Sequence, residues 1–85
     1  MDFDLIPKYN SRKSFYSKAR VKLEGDKLTL FSYNTEVAII ENGKAFVFGS
    51  WSNTTTGHIK EFLKQNGFKA ENGKQILKDY FKQEA

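Results

Sequence analysis

The sequence predicts an α+β domain, an antiparallel meander of three or four strands followed by two helices packed on one face. Three observations carry this. Turn dipeptides at Gly25-Asp26 and Asn42-Gly43 separate short runs of strand-forming residues. After Trp51 the apolar spacing lengthens from two residues to three and four. The chain has 85 residues, enough for one core and too few for two. It therefore reads as a single domain over 1–85, with an irregular basic and aromatic segment at 1–18, the sheet at 19–51 and the two helices at 53–82.

Each element has its own local reason. Arg20 to Glu24 alternates Val21 and Leu23 with charged neighbours, and Lys27 to Tyr33 resumes the pattern with Leu28 and Leu30 after the Gly25-Asp26 turn. Glu36 to Glu41 and Lys44 to Ser50 flank Asn42-Gly43, the dipeptide best suited to a type I′ hairpin because both positions tolerate positive φ. Val37 to Ile40 and Ala45 to Phe48 are apolar at successive positions, which predicts a strand pair that is central or covered on both sides. Ile59, Phe62 and Leu63 share one helical face, so a helix over Thr55 to Gln65 follows, with caps offered by Asn53 to Thr56 and a stop at Asn66-Gly67. Asn72 and Gln75 have capping-box spacing for a second helix whose apolar face is Ile76, Leu77, Tyr80 and Phe81. Lys74, Lys78 and Lys82 form a solvated row on another face. Residues 1–18 are expected to be loop, or one short helical turn.

Composition narrows the chemistry. With no cysteine there is no disulfide framework, thiolate metal site or thiol nucleophile, which suits a reducing compartment. No apolar run approaches the length of a membrane span, and Asp2, Asp4 and Pro7 leave no room for an export signal. The expectation is a cytoplasmic protein. The net charge is +4, yet the window 8–22 holds Lys8, Arg12, Lys13, Lys18, Arg20 and Lys22 without a single acidic residue, leaving the remainder of the chain at −2. Such crowding predicts a local face for a polyanion or an acidic partner.

Catalysis finds little support. His58 is the only histidine, so a two-histidine nuclease site would need a second copy of the chain. His58 and Glu61, three apart on the first helix, read as a helix-start polar pair. No cofactor or metal is expected, since neither a glycine-rich phosphate loop nor a ligand cluster is present. Thr54, Thr55 and Thr56 read as caps before they read as an anion site.

The basic segment has the functional reach. Lys8, Tyr9, Arg12, Lys13, Tyr16 and Lys18 alternate cations that neutralise phosphates with rings that stack on bases, and Arg20 and Lys22 extend the stretch. These eight residues are the candidate binding surface, with Trp51, Thr55 and His58 as secondary candidates. The competing reading is that Phe15 and Tyr16 close the core and leave the cations merely solvated.

The runs Pro7-Lys8-Tyr9-Asn10-Ser11-Arg12-Lys13-Ser14-Phe15-Tyr16-Ser17-Lys18-Ala19, Ser32-Tyr33-Asn34-Thr35-Glu36-Val37-Ala38 and Thr55-Thr56-Gly57-His58-Ile59-Lys60-Glu61-Phe62-Leu63 resemble small uncharacterised proteins of phages and prophages of low-GC Gram-positive bacteria. The likeness covers roughly residues 6–67. It departs from that family's pattern at Gly57, where a basic residue precedes the histidine, and the lost charge weakens a phosphate-binding role for this turn. The resemblance carries no catalytic residue with it and implies a context: a non-enzymatic phage accessory protein acting by binding. The expected partner is a host or phage protein complex, a nucleoprotein included, with inhibition of a defence complex of the CRISPR type as the leading expectation. A stand-alone DNA- or RNA-binding protein is the alternative, and a small nuclease is the least supported. No motif sets the oligomeric state.

Overall fold

A computed structural model describes residues 1–10, 13–49 and 51–82. Five strands, β1 (Asp2–Asp4), β2 (Ala19–Glu24), β3 (Lys27–Ser32), β4 (Thr35–Glu41) and β5 (Lys44–Val47), form one antiparallel sheet in sequential order. Two helices follow, α1 (Asn53–Gln65) and α2 (Gly73–Tyr80). The α+β class, the meander and the C-terminal position of both helices match the sequence expectation, with one strand more than expected.

That strand is β1, inside the segment read as loop. Asp-Phe-Asp has poor strand propensity, so nothing local announces it. It forms by pairing its backbone with β2, and the opposite charges of Asp2 and Asp4 across from Lys22 and Arg20 add a small increment to that pairing. The pairing continues beyond β1 through Leu23 N–H to Met1 O at 2.8 Å and Leu5 N–H to Ala19 O at 2.9 Å.

One face of the sheet carries Ala19, Val21, Leu30, Ala38, Ala45 and Val47, and these pack with Ile59, Phe62 and Leu63 of α1 and Ile76 of α2 in a single core. The register changes between Leu30, which faces Ala38, and Phe31, which faces Glu36. Val37 is the extra residue of this bulge, and the irregularity accounts for Val37 and Ala38 both being buried although they are neighbours. Of the apolar pair expected to be central or covered on both sides, β4 lies inside the sheet while β5 is its edge strand. On the other face, Glu24, Lys27, Glu41 and Lys44 line up across four strands with alternating charge.

The turns explain the topology. Asn42 and Gly43 both have positive φ, as a type I′ turn demands. The same pairing of positive angles occurs at Tyr33-Asn34 between β3 and β4, and at Tyr16-Ser17 before β2, where Lys18 N–H bonds Phe15 O at 2.9 Å. A tyrosine in this region costs on the order of 1 kcal/mol, because Cβ crowds the backbone.

Helix ends follow the sequence with one shift. The N-cap of α1 is Ser52, whose hydroxyl accepts from Thr55 N–H at 3.3 Å, so the helix starts two residues earlier than expected. It ends in a Schellman arrangement, with Phe68 N–H to Leu63 O at 2.9 Å, Gly67 N–H to Lys64 O at 3.1 Å and Gly67 at φ +84°. Asn72 caps α2 through Gln75 N–H at 2.8 Å, while the Gln75 side chain reaches one residue further than a standard box and accepts from Glu71 N–H. Beyond α2, Phe81 bridges Val47 in parallel and Lys82 N–H bonds Val47 O, which places the Lys82 ammonium 4.6 Å from the Phe46 ring centroid. Lys82 therefore leaves the solvated row that Lys74 and Lys78 keep.

Candidate binding face

The connection between β1 and β2 is fastened to the core at several points. Leu5 and Phe15 are buried in the core cluster. Between them, Glu61 of α1 acts as a clasp. Only 1% exposed, it accepts Tyr9 N–H at 2.8 Å on Oε1 and Gln65 Nε2 at 2.6 Å on Oε2, and the same Gln65 nitrogen reaches Ile6 O at 2.6 Å. A buried carboxylate is tolerable only when donors replace its lost hydration, and here both oxygens have one.

His58 is 2% exposed and equally committed. Its Nδ1 lies 2.8 Å from Ser32 Oγ, which lies 2.9 Å from Thr55 Oγ1, tying α1 to the end of β3. Its ring makes tilted contacts with Phe15 and Tyr33, at 4.5 Å and 5.9 Å between centroids. Two of the secondary candidates, Thr55 and His58, thus lie in the interior and not on a surface. Although Ser32 and His58 are within hydrogen-bond reach, Ser32 is buried, and a nucleophile must meet its substrate. The threonines do not cap the helix as expected: Ser52 is the N-cap, Thr55 Oγ1 contacts Ser32 Oγ, and Thr56 Oγ1 donates to Trp51 O at 3.4 Å.

Trp51, the third secondary candidate, sits elsewhere. It lines a cleft of about 390 Å³ with Val47, Asn53, Ile59, Lys74 and Leu77, between β5 and the two helices. Its indole nitrogen is buried without a hydrogen-bond partner among the described residues. The structure does not unite Trp51 with the basic segment.

The basic segment itself divides. Arg20 and Lys22 project from the helix-free face of β2, where Arg20 approaches Asp2 at 3.8 Å and Asp4 at 3.9 Å, and Lys22 approaches Glu24 at 3.7 Å. Lys8, Lys13 and Lys18 lie in the connection, exposed and without an ion pair among the described residues. Tyr9 and Tyr16 beside them are 61% and 75% exposed, whereas Phe15 is buried. Only Phe15 serves the core. Arg12 lies outside the described residues.

Around these residues the structure gathers others the sequence did not single out. Asn10 and Gly57 join two recesses, one of about 120 Å³ lined also by Phe15, Asn53, Thr54 and His58, the other of about 30 Å³ bordered by Tyr9, Lys60, Glu61 and Lys64. A Cβ at Gly57 would stand 3.5 Å from Asn10 Nδ2, so a long basic side chain would have to find its way past Asn10. The Lys64 ammonium stands 6.0 Å from the Tyr9 ring centroid. Tyr33, read as the last residue of a strand, is instead the first residue of a tight turn beside this site, and the two-residue gap Tyr33-Asn34 between apolar runs was the signal for it. Among the described residues no group of three His, Cys, Asp or Glu could hold a metal, and no helix is long and apolar enough to cross a membrane.

Comparison with curated proteins and with solved structures finds no match for the chain. A family model described as a family of unknown function, DUF8033, matches residues 3–79, and the chain belongs to that family.

Proposed function

We propose that the chain is a non-enzymatic accessory protein that binds nucleic acid through the β1–β2 connection and the adjoining side of α1. The observation that carries this is the division of the basic segment: Lys8, Lys13 and Lys18 remain exposed without an ion pair among the described residues while Tyr9 and Tyr16 stand exposed beside them. Lys60 and Lys64 add charge from the helix side of the smaller recess. Phosphates are drawn to such lysines, and rings supply stacking surface that is indifferent to sequence. His58 and Glu61, the two groups that acid–base chemistry would need, are buried and engaged in structural contacts.

Fluorescence anisotropy with labelled single-stranded and duplex oligonucleotides tests the proposal. The expected result is binding at low salt that weakens steeply as salt rises. Absence of binding to DNA and RNA at the lowest salt would overturn it.

A second reading keeps the surface and changes the setting. In it the chain acts in the cytoplasm of a bacterial host as an inhibitor of a nucleoprotein defence complex, the setting that its resemblance to phage proteins implies. The exposed Tyr9 and Tyr16 rings favour it, because tyrosine is enriched among residues that dominate protein interfaces. Co-purification from such a host before and after nuclease digestion separates the two: a complex that survives digestion supports a protein partner, and one that dissolves supports nucleic acid.

A further inference from the structure

Two exposed tyrosines occupy backbone positions that tyrosine disfavours. Tyr16 has φ 52° and Tyr33 has φ 52°, each the first central residue of a two-residue turn whose second central residue, Ser17 or Asn34, also has positive φ. Asparagine or glycine would meet this geometry with less strain, and the chain uses both at its third such turn, Asn42-Gly43. Strain held at a surface position calls for a reason outside the fold.

The two turns are neighbours. Tyr33 N–H donates to Lys18 O at 2.9 Å, so the Tyr16-Ser17 and Tyr33-Asn34 turns emerge at the same end of the sheet with Lys18 between them. Tyr33 is 52% exposed and lies against the His58 ring, which in turn meets buried Phe15 at a tilt, so the outer ring has a buried side chain behind it. Tyr16 is the more exposed of the pair, and Asp4 is occupied by Ser17 Oγ at 3.1 Å and by Arg20 at 3.9 Å. The local charge is therefore Lys18, free to meet a phosphate.

We infer that Tyr16 and Tyr33 form a stacking platform for unpaired bases, with Lys18 seating the phosphate between them, so that the ligand is a single strand and not a duplex. This rests on the nucleic-acid reading above and specifies its ligand. In a duplex the base faces are already stacked on one another, whereas in a single strand they are open to aromatic side chains.

The test compares Tyr16→Asn, Tyr33→Asn, Tyr16→Phe and Tyr33→Phe with the unaltered chain, using a labelled oligothymidine strand and its duplex with oligoadenosine. Each asparagine variant is expected to lose about 10-fold in affinity for the single strand with the salt slope unchanged, since no charge is removed, while the phenylalanine variants stay within about 2-fold. Tyr16→Asn should at the same time raise the melting temperature, because the turn is relieved while affinity is lost. That opposite movement distinguishes a ligand contact from a structural role. Asparagine variants that bind the single strand like the unaltered chain, or that lose single strand and duplex alike, overturn the platform and leave the nucleic-acid reading standing. An unaltered chain that binds neither probe overturns both.

Discussion

Lys18 and Arg20 are two residues apart and meet opposite conditions. Arg20 lies on β2, where the antiparallel register sets it across from Asp4, with Asp2 also in reach. Lys18 lies one residue before the strand begins, in a connection whose path is set by Phe15, Glu61 and the Tyr16-Ser17 turn, and it has no ion pair among the described residues. The same contrast separates Lys22 from Lys8 and Lys13. A run of like charge in sequence is thus two surfaces in space, one balanced across the ladder and one exposed without ion pairs among the described residues.

The largest effect expected from this contrast is on binding. Replacing Lys8, Lys13 and Lys18 together by alanine should lower single-strand affinity by about 100-fold at low salt and reduce the salt slope by about 2 to 3, one counterion for each lost phosphate contact. The pair Arg20→Ala and Lys22→Ala, measured by the same titration, should stay within about 3-fold, since these cations already face carboxylates. Equal losses in the two variants would break the comparison and restore the undivided basic segment.

Stability separates the regions in a second way. Glu61→Gln keeps the shape of the clasp but turns one acceptor into an amide that points hydrogens at either Tyr9 N–H or Gln65 Nε2. The expected cost is about 1 to 3 kcal/mol by urea unfolding, from a buried donor left facing a donor. Affinity should fall with it, because the connection that carries Lys8 and Tyr9 loses its tether. A destabilised variant with undiminished affinity would mean that the lysines act without a fixed path.

The fold was largely legible in the sequence because its turns are written locally. Gly25-Asp26, Asn42-Gly43, Asn66-Gly67 and Asn72 each act through their own backbone preferences, and the structure places a turn or a cap at each. β1 was not legible, since Asp2 to Asp4 become strand residues only by pairing with the backbone of Arg20 to Lys22, far along the chain. Glu61 was weighed only as a partner for His58. The stronger signal was its place in the stripe His58, Glu61, Phe62 and Gln65, where a carboxylate on a core-facing side must have donors, though no local rule names Tyr9 as one of them. The site was half legible. Segment 8–18 could be picked out by composition, but the exclusion of Arg20 and Lys22 depends on strand register, and the inclusion of Tyr33, Lys60 and Lys64 depends on how α1 and the β3–β4 turn meet the connection.

The smallest effect is the most discriminating, because it runs towards gain. Asp2→Asn with Asp4→Asn preserves the strand geometry, and the asparagine at position 4 can still accept from Ser17 Oγ, but Arg20 then loses both of its carboxylates. These ion pairs are long and half-exposed, so the change should cost less than about 1 kcal/mol of stability. If acid neutralisation is what removes β2 from the binding face, the double variant should bind a single strand about 2- to 5-fold more tightly at low salt, and the gain should vanish as salt screens it. A gain reversed by adding Arg20→Ala would assign it to the released guanidinium. No gain at any salt would show instead that the helix-free face of β2 is turned away from the strand, and that orientation, not charge balance, divides the two regions.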